Sequence, residues 1–350
     1  MKTKSTRLRT PLLALGASVL AMAAISVHAA DTFELLVPPQ MPAGDNSTAY
    51  AINNLGQVLI TAWNPNTYET DGYYLYDSLR GIYTVLPSDP DAIPGNNTIF
   101  NGLNDLGEFV GSEPSTTRAI PTWASTLGYE AYTSFTYDSR KETFTNFMPT
   151  TPGAFVSEAI AVNDEAVVVG INNTGSGDQG WILKGHTFTT LDVFPPGPNV
   201  ETGIPSGPTT DPEAINNLGD IVGYYSNPAT SIVSGAFLYD GITHKITILN
   251  TGNPIAQAFG INDEGEVVGW MTSDTTESTG NGFLLKGGRV TTITYPGSDY
   301  TAANAINDFD QIVGQFYDSN GISHGFLMAP KLPLPRQIGA STPSISPAER

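Results

Sequence analysis

One short block, GINDEGEV from Gly260 to Val267, recurs in variant form six times along the chain, and no other feature narrows the fold as much. The variants are AINNLGQV, GLNDLGEF, AVNDEAVV, AINNLGDI and AINDFDQI, and the Asn opening each turn falls at Asn53, Asn104, Asn163, Asn216, Asn262 and Asn307. Successive copies lie 51, 59, 53, 46 and 45 residues apart. A period in this range belongs to blades, solenoid turns or arrays, whose units bury their apolar faces against one another.

The fifth copy shows what one unit contains. Phe259 to Ile261 is extended, Asn262 to Gly265 is turn chemistry, and Glu266 to Met271 is rich in β-branched and aromatic residues, so the block reads as a hairpin. A third extended run, Gly282 to Lys286, follows a polar loop, and Gly287-Gly288 turns the chain into a fourth, Arg289 to Tyr295. Gly56, Gly107, Gly219 and Gly265 supply the positive φ such turns need, and Asp310 is a tolerable substitute. Ala166 is not, which predicts a different turn type in the third copy. A second glycine recurs inside the second strand, at Gly111, Gly170, Gly223, Gly269 and Gly314, with Ile60 in the first copy. Its expected role is close backbone packing.

The sixth copy ends after its third strand, and a matching strand stands at the other end of the chain. Phe33 to Val37 precedes the first copy as Arg289 to Tyr295 precedes the sixth. The predicted fold is therefore all-β, a six-bladed β-propeller of four-stranded blades in which the N-terminal strand completes the last blade. An open β-solenoid is the alternative. The propeller is expected over 30–329. Before it, Lys2, Lys4, Arg7 and Arg9 precede an apolar run from Leu12 to Val27 ending in small residues, the layout of a signal peptide over 1–29. After it, 330–350 reads as a disordered Pro/Ser-rich tail.

The A-x-x-INDxGxVVG block followed by a GFL-type strand, clearest from Ala258 to Leu285 and from Ala302 to Leu327, resembles the HAF family of bacterial extracellular repeat proteins. The resemblance spans all six copies, although only His324-Gly325-Phe326 keeps the His of the family's signature. It implies export, to the periplasm or the medium, and a propeller-like fold. The family carries no established chemistry, so it assigns no catalytic residue.

Charge excludes some functions. Loss of the signal peptide leaves eleven basic residues against 34 acidic ones, a formal charge of −23. That balance argues against nucleic acid and anionic membrane surfaces as partners, and no segment after the signal peptide is apolar enough to insert in a bilayer. The absence of Cys removes disulfides, thiolate metal sites and thiol nucleophiles. No G-x-S-x-G, HExxH or phosphate loop is present, and no stretch matches a calcium loop, the nearest being Asp318-Ser319-Asn320-Gly321. Neither cofactor nor metal is expected. The reading is a binding or scaffold module for an extracellular glycan or protein, with a glycosidase or lyase as the alternative. Two buried carboxylates about 5 to 10 Å apart over a cleft would favour hydrolysis.

Strand parity places the uniform NDxG turns at one end of the ring and the long, unlike loops at the other. Binding residues concentrate on variable loops carried by a rigid scaffold. At that loop face the sequence puts Trp63, Trp123, Tyr129, Tyr132, Tyr224, Tyr225 and Trp270. These are the candidate ligand-binding residues, read either as a stacking surface or as rings packed beneath their own loops.

Overall fold

A computed structural model describes residues 25–26 and 32–330, apart from 68, 93–97, 116–124, 126–129, 150–153, 174–176, 194–207 and 228–231. The described residues form six sheets. Each blade runs outward from an inner strand: Asn46–Ile52 in blade 1, Ile99–Leu103 in blade 2, Val156–Val162 in blade 3, Thr209–Ile215 in blade 4, Ile255–Ile261 in blade 5 and Thr301–Ile306 in blade 6. The remaining strands follow antiparallel in chain order. In blade 5 these are Val267–Thr272, Asn281–Lys286 and Arg289–Ile293.

Blade 6 is completed from the opposite end of the chain. Thr32–Leu36 pairs antiparallel with Ser323–Ala329, with Thr32 opposite Ala329 and Leu36 opposite Gly325. Leu36 is fully buried, and Phe33 packs edge-on against Phe326 at 5.3 Å. The strand lies one residue earlier than Phe33 to Val37. Val37 is instead 42% exposed, because alternation sends every second side chain outward. Within the segment read as a signal peptide, Ile25–Ser26 pairs in parallel with Thr291 and Thr292 on the outer edge of blade 5.

The repeated Asn explains why this ring holds together. Each side-chain Nδ2 donates to the backbone carbonyl of the same Asn in the next blade: Asn53 to Asn104, Asn104 to Asn163, Asn163 to Asn216, Asn216 to Asn262, Asn262 to Asn307 and Asn307 back to Asn53, at 3.0 to 3.2 Å. In five of the six the Oδ1 accepts two backbone N–H groups of its own turn, as Asn163 does from Glu165 and Val167, and Asn262 Oδ1 accepts that of Glu266. One residue on, a second circle forms from the backbone N–H of Asn54, Asp105, Asp164, Asn217, Asp263 and Asp308. Each of these donates to the side chain of its successor at 2.7 to 2.9 Å. The first circle is buried, so each lost member would leave an unpaired polar group away from water.

The third turn does not differ from the others. Ala166 adopts φ 56°, beside 73° to 83° for Gly56, Gly107, Gly219 and Gly265, and its N–H meets the Asn163 carbonyl at 3.0 Å as theirs meet their own Asn. The two circles dictate the turn, and Ala166 accepts a strained conformation to stay within them.

The second-strand glycines are packing residues. A Cβ on Gly269 would lie 2.0 Å from the Gln257 carbonyl oxygen and 2.8 Å from the Phe283 ring, and one on Gly314 would lie 2.0 Å from the Ala302 oxygen. The core fills the space between neighbouring blades with rings such as Phe135, Phe237, Phe283 and Phe326, all fully buried.

Candidate functional site

Every inner strand carries one extra residue. Its pairing with the second strand shifts register at Ala49/Ala51, Phe100/Gly102, Ala159/Ala161, Pro212/Ala214, Ala258/Gly260 and Ala303/Ala305. The residues skipped are Tyr50, Asn101, Ile160, Glu213, Phe259 and Asn304, each three before a repeated Asn. A bulge leaves its extra residue unpaired and re-aims the side chain. All six line one central cavity of about 230 Å³, together with Thr48, Tyr300, Ala302 and Gln315. At the turn face a second, smaller cavity of about 70 Å³ is lined by the residues of the two circles.

The walls of this cavity are unlike. Blades 6 and 1 contribute Thr48, Tyr50, Tyr300, Asn304 and Gln315, with Thr48 donating to Gln315 at 2.6 Å and Asn304 to the Ala49 carbonyl at 2.9 Å. Blade 4 contributes the Glu213 carboxyl; Asp211 on the same strand and Glu158 and Asp178 of blade 3 lie behind this lining, near enough for their charges to act on it, and no ion pair among the described residues involves any of the four. Burial, then the charges of Asp211 and Glu158, push the Glu213 carboxyl up to about 8. Burial, then Asp178, pushes Asp211 up to about 7 against a lowering hydrogen bond from Thr209. Glu158 is raised by burial and by Asp178, and Asp178 by burial against a 2.7 Å hydrogen bond from Asn173. Neighbouring acids in a low-dielectric site cannot all ionise cheaply, which is why all four are raised, Asp211 and Glu213 furthest.

Aromatic rings stand beside the acids. Tyr224 meets Phe259 edge-on at 6.4 Å, and its hydroxyl is raised by burial and then by Glu213 and Asp211. Tyr50 keeps 45% of its surface open to the channel, yet protein surrounds it and desolvation raises its hydroxyl, followed by the charge of Glu213.

The residues singled out from sequence separate on this surface. Tyr224 borders the acid cluster, and Tyr132 is half-buried close enough to Glu158 and Glu130 for their charges to raise it after burial does. Trp63 is partly exposed at the end of its strand. Tyr225 is buried in its blade against Gly235, and Trp270 is 3% exposed, laid over Gly280 with its ring 5.7 Å from Tyr300. Trp123 and Tyr129 lie outside the described residues. The bulge residues and the acid cluster were missed, since Tyr, Asn, Ile, Glu, Phe and Asn share no chemistry. Their signal was positional, the third residue before each repeated Asn.

The Asp318 to Gly321 segment is a turn. Asp318 Oδ1 accepts the Asn320 and Ile322 N–H groups, and these bonds with His324 hold its carboxyl down at about 2. Among the described residues no group of three or more His, Asp or Glu is placed to hold a metal ion, and no helix is long and apolar enough to cross a membrane.

No protein-family model matches the sequence, and comparison with curated proteins finds no match. Among solved structures the chain is similar to TolB from Acinetobacter baumannii (10% identity, TM-score 0.45, covering 81% of this chain and 55% of that one). It is also similar to the β-propeller domain of the Trilobed protease from Pyrococcus furiosus (12%, 0.45, 85% and 84%). A third is an acylaminoacyl peptidase from Pyrococcus horikoshii (14%, 0.47, 81% and 43%). The chain spans about half the length of TolB and less than half of the peptidase. At these TM-scores the likenesses carry no functional argument, and the propeller rests on the strand pairing itself.

Proposed function

We propose that this chain is an exported, non-catalytic binding module, in keeping with its resemblance to the HAF repeats, and that it takes a cationic glycan at the loop-face mouth of its channel. The observation that carries the reading is the carboxyl cluster made by Glu213, which lines the cavity, with Asp211, Glu158 and Asp178 beside it; it has no counter-cation among the described ion pairs. An amine on the ligand would supply it, and Tyr224, Phe259 and Tyr50 offer ring faces to a sugar. Titration with deacetylated and fully acetylated oligosaccharides of one chain length tests this. The amine form should bind at least about tenfold more tightly, worth about 1.4 kcal/mol. Equal affinity, or none for either, would refute it.

One observation favours a second reading. Burial and the neighbouring Asp211 push the Glu213 carboxyl up to about 8, the range in which a carboxylic acid can serve as a general acid, and Asp211 would be the second carboxyl. A glycosidase would release reducing ends from a polysaccharide panel and lose that activity in Glu213→Gln. The binding reading expects no release.

A further inference from the structure

Closing the ring with a strand from the other end of the chain leaves a gap on the turn face. In blades 1 and 2 the hairpin between third and outer strands folds over the inner turn, with Ser78 N–H donating to the Gly56 carbonyl and Ser139 N–H to that of Gly107, both at 3.0 Å. Blade 6 has no such hairpin. Its third strand runs out at Ala329 and its outer strand starts afresh at Thr32. What remains is a groove of about 910 Å³ between blades 6 and 1, walled by Thr32, Leu55, Leu79, Phe309, Ala329 and Pro330. Leu55, Leu79 and Phe309 are 52%, 83% and 63% exposed, an apolar patch of the kind that marks an interaction surface.

We propose that residues 331–338, the sequence KLPLPRQI, occupy this groove and replace the missing hairpin as a clasp over the closure seam. The described chain stops at Pro330, which is itself part of the groove wall, so the segment enters the groove at once. It supplies Leu332, Leu334 and Ile338 to the apolar wall. Pro333 and Pro335 favour an extended chain that loses little entropy on docking, and eight residues in that form reach about 25 Å. On charge, Arg80 in the groove wall is paired with Asp77, and Lys331 and Arg336 would lie on a face that carries Asp105 and Asp308 in its turns.

The chain has no Cys, so a single reporter thiol can be placed. Maleimide labelling of Leu79→Cys would be compared in the full exported protein and in the same protein ending at Pro330, with Leu55→Cys as a second reporter. Ile242→Cys, at an exposed turn of blade 4, is the control. Both groove thiols should react at least about fivefold more slowly in the full chain, the control should react equally in both, and a synthetic 331–350 peptide should restore protection to the shortened protein. Equal rates at the groove thiols in the two proteins would overturn the proposal. So would protection that survives the truncation or grows with protein concentration, since the groove would then be covered by the leader or by a second copy.

Discussion

Ala166 holds a backbone conformation that an L side chain resists, with φ 56° in a turn where four other copies use glycine. The cost of left-handed geometry for a residue with a Cβ is about 1–2 kcal/mol. Part of the gain from glycine is offset by its looser unfolded chain. Ala166→Gly should therefore stabilise the protein by about 0.5–1 kcal/mol, visible as a rise in melting temperature. A fall would show that the turn is not held in the left-handed region. Sequence predicted a different turn here because local propensity is visible in one copy, whereas the bonds that override it, from Asn163 to Asn216 and from Asp164 to Asn217, cross between blades. The repeated Asn was obvious as a recurrence. Its function as the link of a closed circle was not, since a single chain does not say which copies are neighbours across the axis.

Among the elements, Thr32–Leu36 bears the most on closure. Removing 31–38 strips the outer edge from blade 6, exposes one face of Ser323–Ala329, and loses the burial of Leu36 and Phe33. At roughly 2 kcal/mol for each buried side chain the loss is about 4 kcal/mol before the broken pairing is counted, a large part of a domain's stability. The shortened protein should melt far lower, and an unchanged midpoint would sink the closure. This strand could be found in sequence because the sixth copy lacks a fourth strand and FELLV precedes the first. Harder to see was the inner-strand bulge. Tyr50, Asn101, Ile160, Glu213, Phe259 and Asn304 carry no common residue type, so periodicity of composition passes over them, while the second-strand glycines that accommodate the bulge were visible and correctly read as packing.

At the scale of the whole molecule, the acid cluster ties stability to pH. Folded Asp211 and Glu213 keep their protons to about 7 and about 8, against ordinary values of 3.8 and 4.5. The folded state therefore binds more protons between those limits, and stability falls as pH rises through that window. Asp211→Asn/Glu213→Gln removes the share of the slope that these two contribute, so the variant's advantage in melting temperature should grow from pH 5 to pH 8. A constant gap would contradict the raised carboxyls. A cationic ligand works against the same protons, because it prefers the ionised acids, so its affinity should rise from pH 5 as the acids ionise and turn over once the ligand's own amine loses its proton. The most direct test is calorimetric titration of a deacetylated oligosaccharide into the protein and into Asp211→Asn/Glu213→Gln at pH 7.5. The double variant should lose at least about tenfold in affinity, or 1.4 kcal/mol, while the acetylated counterpart binds both proteins weakly and alike. Undiminished binding by the double variant, or no binding of the amine form to the unaltered protein, would contradict the placement of the ligand site in this channel.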